Sequence, residues 1–271
     1  DAAPTPSRNG PRARRGSAAG TEGLVAVRAF LSTWRRRLGG GLRTAWAEVM
    51  PPLCPLCRCR PRPAAAAVCD DCAAALAGLP ERRCPRCGGA RDGILAACAD
   101  CLHGSDRPWE HAVSAYAFRG LTREAVHRLK YRGDTALAPL FARSMAAAWE
   151  RHGRGAVDVV VPVPLHWLRQ VRRGYNQADL LARLVARQLG LPCESWLRRC
   201  RRSAQQAHLG REARQTNIQG VFACGCGPRA KGRRVLLVDD VLTTGATLGE
   251  AARVLLTAEA AAVSVLTAAR G

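Results

Sequence analysis

The chain has 271 residues, 48% of them apolar, enough to bury a core in one large domain and a small one, and with aromatics at only 5% that core must rest on Val, Leu and Ala. No apolar run approaches the roughly 18–20 residues of a membrane span, and no secretory pattern stands out, so a cytoplasmic protein without a membrane span is the expectation. The net charge of +21 is carried almost wholly by Arg, with Lys130 and Lys231 the two lysines, and reads in part as compositional bias.

Residues 1–22 are Arg, Gly, Pro, Ser and Ala with almost nothing to bury. Leu24, Val27, Leu31, Trp34 and Leu38 have helical spacing, but Gly39-Gly40-Gly41 interrupts it, so residues 1–50 read as a disordered or partly helical extension. Residues 51–104 form a cysteine-rich region. Over 111–271 the pattern turns to strands alternating with helices. His111–Phe118 reads as a strand, Leu121–Tyr131 and Ala136–His152 as helices, and Val157–Val161 as a buried strand ending in Pro162-Val163-Pro164. Gln177–Leu189 predicts a helix closed by Gly190. A strand at Val235–Val238, a helix at Ala246–Leu256 and a strand at Ala262–Thr267 complete a series of parallel βαβ units. Most of the surplus positive charge in this half lies in 169–234, which would suit a polyphosphate ligand, a nucleic acid or both.

Eight of the thirteen cysteines form four C-x-x-C pairs: Cys54/Cys57, Cys69/Cys72, Cys84/Cys87 and Cys98/Cys101. A C-x-x-C turn aims two thiolates at one point, and two such turns supply the four sulfurs of a tetrahedral zinc site. Four pairs make two structural Zn²⁺ sites, or alternatively iron–sulfur clusters. The region has few large apolar residues, so metal would hold it folded. Sequential pairing of the turns is preferred over interleaved pairing, and Cys59 could substitute for a neighbour. The C-x-C at Cys224 and Cys226 reads as incidental. Four thiolates close a coordination sphere, so neither site is expected to be catalytic.

The run Val235-Leu236-Leu237-Val238-Asp239-Asp240-Val241-Leu242-Thr243-Thr244-Gly245-Ala246-Thr247 has a different logic. A buried strand is expected to emerge at Asp239 and Asp240, at the sheet edge where open α/β folds bind ligands. A loop of small residues, Thr243, Thr244, Gly245, Ala246 and Thr247, then opens a helix. Its amides and hydroxyls can cradle a phosphate, and Gly245 lets the backbone approach closely. Asp239 and Asp240 can accept hydrogen bonds from ribose hydroxyls. An acid pair alone could be a metal site, and Thr-Thr-Gly alone an ordinary helix cap; in this order they point to a ribose-phosphate.

This run resembles the motif of type I phosphoribosyltransferases that binds phosphoribosyl pyrophosphate (PRPP). Val161–His166, Arg169, the run Arg173-Gly174-Tyr175-Asn176-Gln177, Leu129–Asp134, and Gln206, Leu209, Arg214, Asn217 and Phe222 are similar to the ComF family of competence proteins (ComFC and GntX-like). The cysteine region resembles that family's double zinc ribbon. The resemblance spans about residues 51–271. It implies a type I phosphoribosyltransferase-like parallel sheet flanked by helices, preceded by the zinc ribbons. It places pyrophosphate at the loop after the Val157–Val161 strand, with Arg169, Arg172 and Arg173 as candidates to hold it, although Arg172 and Arg173 also read as a solvated basic turn. His166 could touch substrate or cap that turn. PRPP with Mg²⁺ is the implied ligand, and transfer of ribose 5-phosphate to an unknown acceptor the implied reaction. The alternatives are a non-catalytic single-stranded DNA-binding protein working with competence proteins, or a PRPP or nucleotide sensor without turnover.

Overall fold

Strands buried on both faces need continuous apolar runs, and the sequence places such runs in four segments of a central sheet. In the computed structural model, which describes residues 53–59, 66–76, 78–91, 97–102, 107–200 and 220–271, the strands are β1 (Ala112–Ala117), β2 (Val159–Pro162), β3 (Leu197–Arg199), β4 (Phe222–Cys224), β5 (Arg234–Leu242) and β6 (Ala262–Arg270). The helices are α1 (Asp70–Ala75), α2 (Ala99–Leu102), α3 (Gly120–Tyr131), α4 (Ala138–His152), α5 (Trp167–Arg173), α6 (Gln177–Leu189) and α7 (Ala246–Thr257). The expectations for residues 1–50, and for Gln206, Leu209, Arg214 and Asn217, lie outside the described residues.

The sheet has the order β1-β6-β5-β2 and every pairing in it is parallel. Consecutive strand residues face opposite ways, and the core divides accordingly. Val113, Val160, Leu236, Val238 and Leu266 pack with α4 and α6 on one face. Val159, Val161, Val235, Leu237, Val263 and Val265 pack with α7 and the short antiparallel pair β3–β4 on the other. The core is aliphatic, as the composition requires. The cysteine region shares it: Cys54, Leu56, Val68, Cys69 and Cys72 belong to the same buried cluster as Val113 and Phe141.

The fold class is the expected one: a type I phosphoribosyltransferase-like parallel sheet flanked by helices, with cysteine clusters in front of it. Three local expectations need correction. β5 continues to Leu242 instead of stopping at Val238, because β6 pairs alongside it through Asp239↔Thr267 and Leu242↔Arg270. Asp239 and Asp240 are therefore strand residues. The basic segment after β2 contains a helix, α5, whose N-cap is His166 and whose C-cap Gly174 has φ +80°. Cys224 and Cys226, which looked incidental, are joined as a disulfide. No described helix is long and apolar enough to cross a membrane.

Candidate functional site

The cysteine clusters are built by two repeats of one local device. In Cys54-Pro55-Leu56-Cys57 the amide of Arg58 donates to Cys54 O at 2.8 Å; in Cys84-Pro85-Arg86-Cys87 the amide of Gly88 donates to Cys84 O at 2.8 Å. Both turns close with a left-handed residue, Arg58 at φ 59° and Gly88 at φ 68°. Each turn faces a short helix, Cys69 and Cys72 at the start of α1, Cys98 and Cys101 around α2. The sulfurs of Cys54, Cys57, Cys69 and Cys72 all lie within 4.8 Å of one another, as do those of Cys84, Cys87, Cys98 and Cys101. The pairing is sequential, and exposed Cys59 stands apart, donating to Cys57 O at 2.9 Å.

A zinc–sulfur bond of about 2.3 Å in a tetrahedron gives S···S edges of about 3.8 Å. The Cys57–Cys69 and Cys87–Cys98 separations are 3.8 and 3.5 Å, so the sulfurs fit the ion. The electrostatics ask for one. Burial, then the charge of Cys87, pushes the Cys101 thiol up to about 12. Burial also works against ionisation of Cys84, but backbone amides at Cys98, Cys87 and Arg86 outweigh it and bring that thiol down to about 7. A cluster of this kind ionises fully only around a divalent cation.

The second constellation opens at the C-terminal end of β5 and β2. A cavity of about 210 Å³ is lined by Asp239, Asp240 and Thr247 from the β5–α7 segment, Pro164 and Arg173 from the segment after β2, and Lys130 and Tyr131 from α3. Thr244 Oγ1 accepts from Ala246 N at 3.4 Å, which closes the turn into α7. Gly245 has φ +84°, and a Cβ there would come within 2.8 Å of the Trp109 ring, so the position excludes other residues on both counts. Thr243 is exposed and Thr244 through Thr247 are half-buried, and of these residues Thr247 lines the cavity.

The acid pair is asymmetric. Lys130 Nζ lies 2.8 Å from Asp240 Oδ1. Burial opposes the charge on Lys130, but Asp240 more than compensates and holds its pKa above the usual lysine range. Asp240 Oδ2 is buried and has no hydrogen-bond partner among the described residues. Asp239 Oδ1 accepts from the Asp240 amide at 2.8 Å. Burial, and then the neighbouring Asp240 charge, pushes Asp239 up to about 7. One carboxylate is thus salt-bridged while the other is poised to take or give a proton near neutrality.

Of the three candidate arginines, Arg173 lines the cavity, its guanidinium 4.7 Å above the Tyr131 ring and its Nη1 3.1 Å from Gln177 Oε1. Arg172 points to solvent, and Arg169 contributes backbone to α5. His166 Nδ1 accepts from Leu168 N at 3.3 Å, the capping role. Lys130 carried no role in the sequence reading beyond its place in the Leu129–Asp134 run, and spacing could not have found it, since it reaches Asp240 from a separate helix. The same run is anchored on both sides. Tyr175 OH donates to Leu129 O. Buried Arg128 donates to Asp134 at 2.6 Å, to Pro55 O at 2.8 Å and to Leu56 O.

Beside this cavity lies a larger groove of about 740 Å³, lined by Leu165, Trp167, Gln170, Arg183, Arg198 and Arg199 among others. Trp167 is 63% exposed there. Pro164, Leu165, Asn176 and Arg199 line both spaces, so the two adjoin.

The phosphoribosyl transferase domain family matches residues 177–271. DNA utilization protein YhgH of Salmonella typhi is 34% identical over 221 residues, 80% of this chain and 96% of that protein. Competence protein F of Haemophilus influenzae is 30% identical over 69% of this chain and 83% of that protein. Competence protein ComFC of Bacillus subtilis is 31% identical over 74% and 82%. Among solved structures, a glutamine phosphoribosylpyrophosphate amidotransferase from B. subtilis overlaps 49% of this chain and 26% of that one, at 22% identity and a TM-score of 0.34.

Proposed function

Because the chain belongs to the ComF family, that of competence protein ComFC and DNA utilization protein YhgH, we propose that its cavity binds PRPP or a related ribose 5-phosphate ligand with Mg²⁺, in a cytoplasmic protein associated with DNA uptake. The observation that carries this is the junction of two features in one cavity. A buried, unpartnered carboxylate oxygen belongs to Asp240, which shares the cavity with Thr247 in the first turn of the helix that left-handed Gly245 opens. A carboxylate oxygen in such a place is costly unless a ligand supplies a donor or cation. Asp239 and Asp240 would take the ribose hydroxyls, and Thr243, Thr244, Gly245, Ala246 and Thr247 the 5′-phosphate. Arg173, with Arg169 and Arg172 nearby in sequence, would meet pyrophosphate.

Turnover would transfer ribose 5-phosphate to a nitrogen nucleophile. The C1–oxygen bond breaks with its electron pair leaving on pyrophosphate, and the nucleophile's lone pair forms the new C1–N bond. Mg²⁺, when bound, would neutralise charge on the departing pyrophosphate. The chain's own part is to hold the 5′-phosphate and ribose still and to set Arg173 where negative charge accumulates. The 740 Å³ groove adjoining the cavity is where an acceptor would approach. Within this reading the cysteine sites hold structural zinc, residues 51–104 are the ribbon region, and 111–271 the phosphoribosyltransferase-like domain. Calorimetric titration of PRPP with Mg²⁺ tests it, with Asp239→Asn/Asp240→Asn as control. Saturable binding by the parent and none by the variant supports the site; no binding by a metal-replete parent removes PRPP from it.

One observation favours a second reading. The groove joins exposed Trp167 to Arg198 and Arg199, an aromatic face among cations, which suits stacked bases on a phosphate backbone. Non-catalytic binding of single-stranded DNA, as part of a competence machinery, would then use this face. Oligonucleotide affinity should fall steeply with salt and with Trp167→Ala; loss of all binding at physiological salt rejects it.

A further inference from the structure

Three successive carbonyls of the second cysteine turn accept hydrogen bonds from the α/β layers. Ala112 N donates to Pro85 O at 3.0 Å, Trp109 Nε1 to Arg86 O at 2.6 Å, and Arg270 Nε to Cys87 O at 3.1 Å. The arrangement has a physical origin. A C-x-x-C turn directs amides toward sulfur, as Gly89 N does to Cys87 Sγ at 3.4 Å, and its carbonyls then face outward. The contact leaves no room for a side chain: a Cβ at Gly88 would stand 2.9 Å from Ala112 O.

Two of those three donors continue into the phosphate loop. Arg270 Nη1 donates to Leu242 O at 3.2 Å and to Thr243 O at 3.0 Å. One planar guanidinium therefore spans the metal-ligand turn and the start of the loop, and a planar fork transmits position better than a flexible ammonium. Trp109 lies beneath Gly245, with its ring edge 2.8 Å from where a Cβ would stand. In a trans peptide unit the C=O and the following N–H point in opposite directions. Holding the carbonyls of Leu242 and Thr243 toward Arg270 therefore aims the amides of Thr243 and Thr244 the other way.

We infer that the second cysteine cluster sets the aim of the phosphate loop through Arg270 and Trp109, which are positioning residues for a ligand's 5′-phosphate. The inference rests on the ligand reading proposed above. It does not require either residue to touch the ligand.

The test uses the full, metal-replete chain and three variants: Arg270→Met, Arg270→Lys and Trp109→Phe, the last removing both the donor to Arg86 O and the outer indole edge that reaches Gly245. Metal content should stay at the parent value. Ribose 5-phosphate affinity, by calorimetry with Mg²⁺, should fall about tenfold or more in Arg270→Met. Inorganic pyrophosphate, held by other residues, should stay within about twofold, a split that general destabilisation would not produce. Arg270→Lys should recover part of the loss. Amides of residues 243–247 should exchange about tenfold faster in Arg270→Met and Trp109→Phe, with β6 core amides unchanged. Cys87→Ser should accelerate the same amides in the parent and add less in the Arg270→Met background, where Trp109 alone still links turn and loop. Unchanged loop exchange in both Arg270→Met and Trp109→Phe, or equal losses for the two ligands, overturns the coupling. A parent that binds no ribose 5-phosphate, with loop exchange still rising in the variants, rejects the ligand reading and leaves the coupling standing.

Discussion

The cysteine clusters and the carboxylate cavity carry their chemistry in opposite ways. Each cluster is written locally: four ligands within two short turns, closed on themselves by main-chain bonds such as Arg58 N to Cys54 O. The cavity is assembled at a distance. Lys130, Arg173, Asp240 and Thr247 come from four elements and meet only because the parallel sheet brings the ends of β2 and β5 together. Local sites should therefore fail as units, while the distributed site should fail in graded steps. The two are joined by arginines that read cysteine-turn carbonyls, Arg128 at the first turn and Arg270 at the second.

The comparison is sharpest at the first cluster, whose sulfurs are part of the main core. Cys72→Ser should lose one metal ion per chain and lower the melting temperature drastically, since structural zinc contributes on the order of 10 kcal/mol. Metal release to a chromogenic chelator, read beside thermal melting, checks this, and retention of full metal with unchanged melting would break the distinction. Next in size is the buried pair that ties the first turn to α3. Asp134→Asn should leave Arg128 uncompensated and cost about 3–5 kcal/mol in urea unfolding. Arg58→Ala, which removes the largely exposed partner of the same carboxylate, should cost under about 1 kcal/mol.

Effects at the cavity should be smaller and should appear in binding first. Gly245→Ala strains a left-handed position and meets Trp109. About 1–3 kcal/mol of stability and a larger share of ribose 5-phosphate affinity should go with it, by unfolding and calorimetry in parallel. The smallest effect is protonic. Asp239 is held up at about 7. Folded protein therefore binds a proton more tightly than unfolded, and this contribution to stability is full below about pH 4 and lost as pH rises through about 7. A ligand or Mg²⁺ that needs the carboxylate ionised binds better over the same rise. The Lys130 charge lowers the Asp239 pKa, so Lys130→Met should shift the midpoint of the affinity–pH profile upward. A flat profile from pH 6 to 8 in the parent would show that Asp239 does not titrate in the binding step.

What was legible in the sequence followed from short-range physics. Periodicity placed β1, α3, α4, α6, α7 and β6 to within a few residues, because burial on one or two faces leaves its mark at fixed spacing. The C-x-x-C spacing marked both cysteine clusters for the same reason. The order acid pair, Thr-Thr, Gly, helix marked the loop, because strand, turn and cap are each local requirements. Tertiary structure decided the rest. It extended β5 through the acid pair, since a neighbouring strand supplies a ladder that propensity cannot foresee. It chose Arg173 over Arg172 for the cavity, because α5 turns successive side chains about 100° apart. It brought Lys130 to Asp240, 110 positions away in the chain, and Arg270 to Cys87, where no spacing rule operates. Sequence alone determined which pieces of chemistry the chain contains, and the packing of α3, β5 and β6 determined which of them share a site, because contact between distant residues is set by the whole fold.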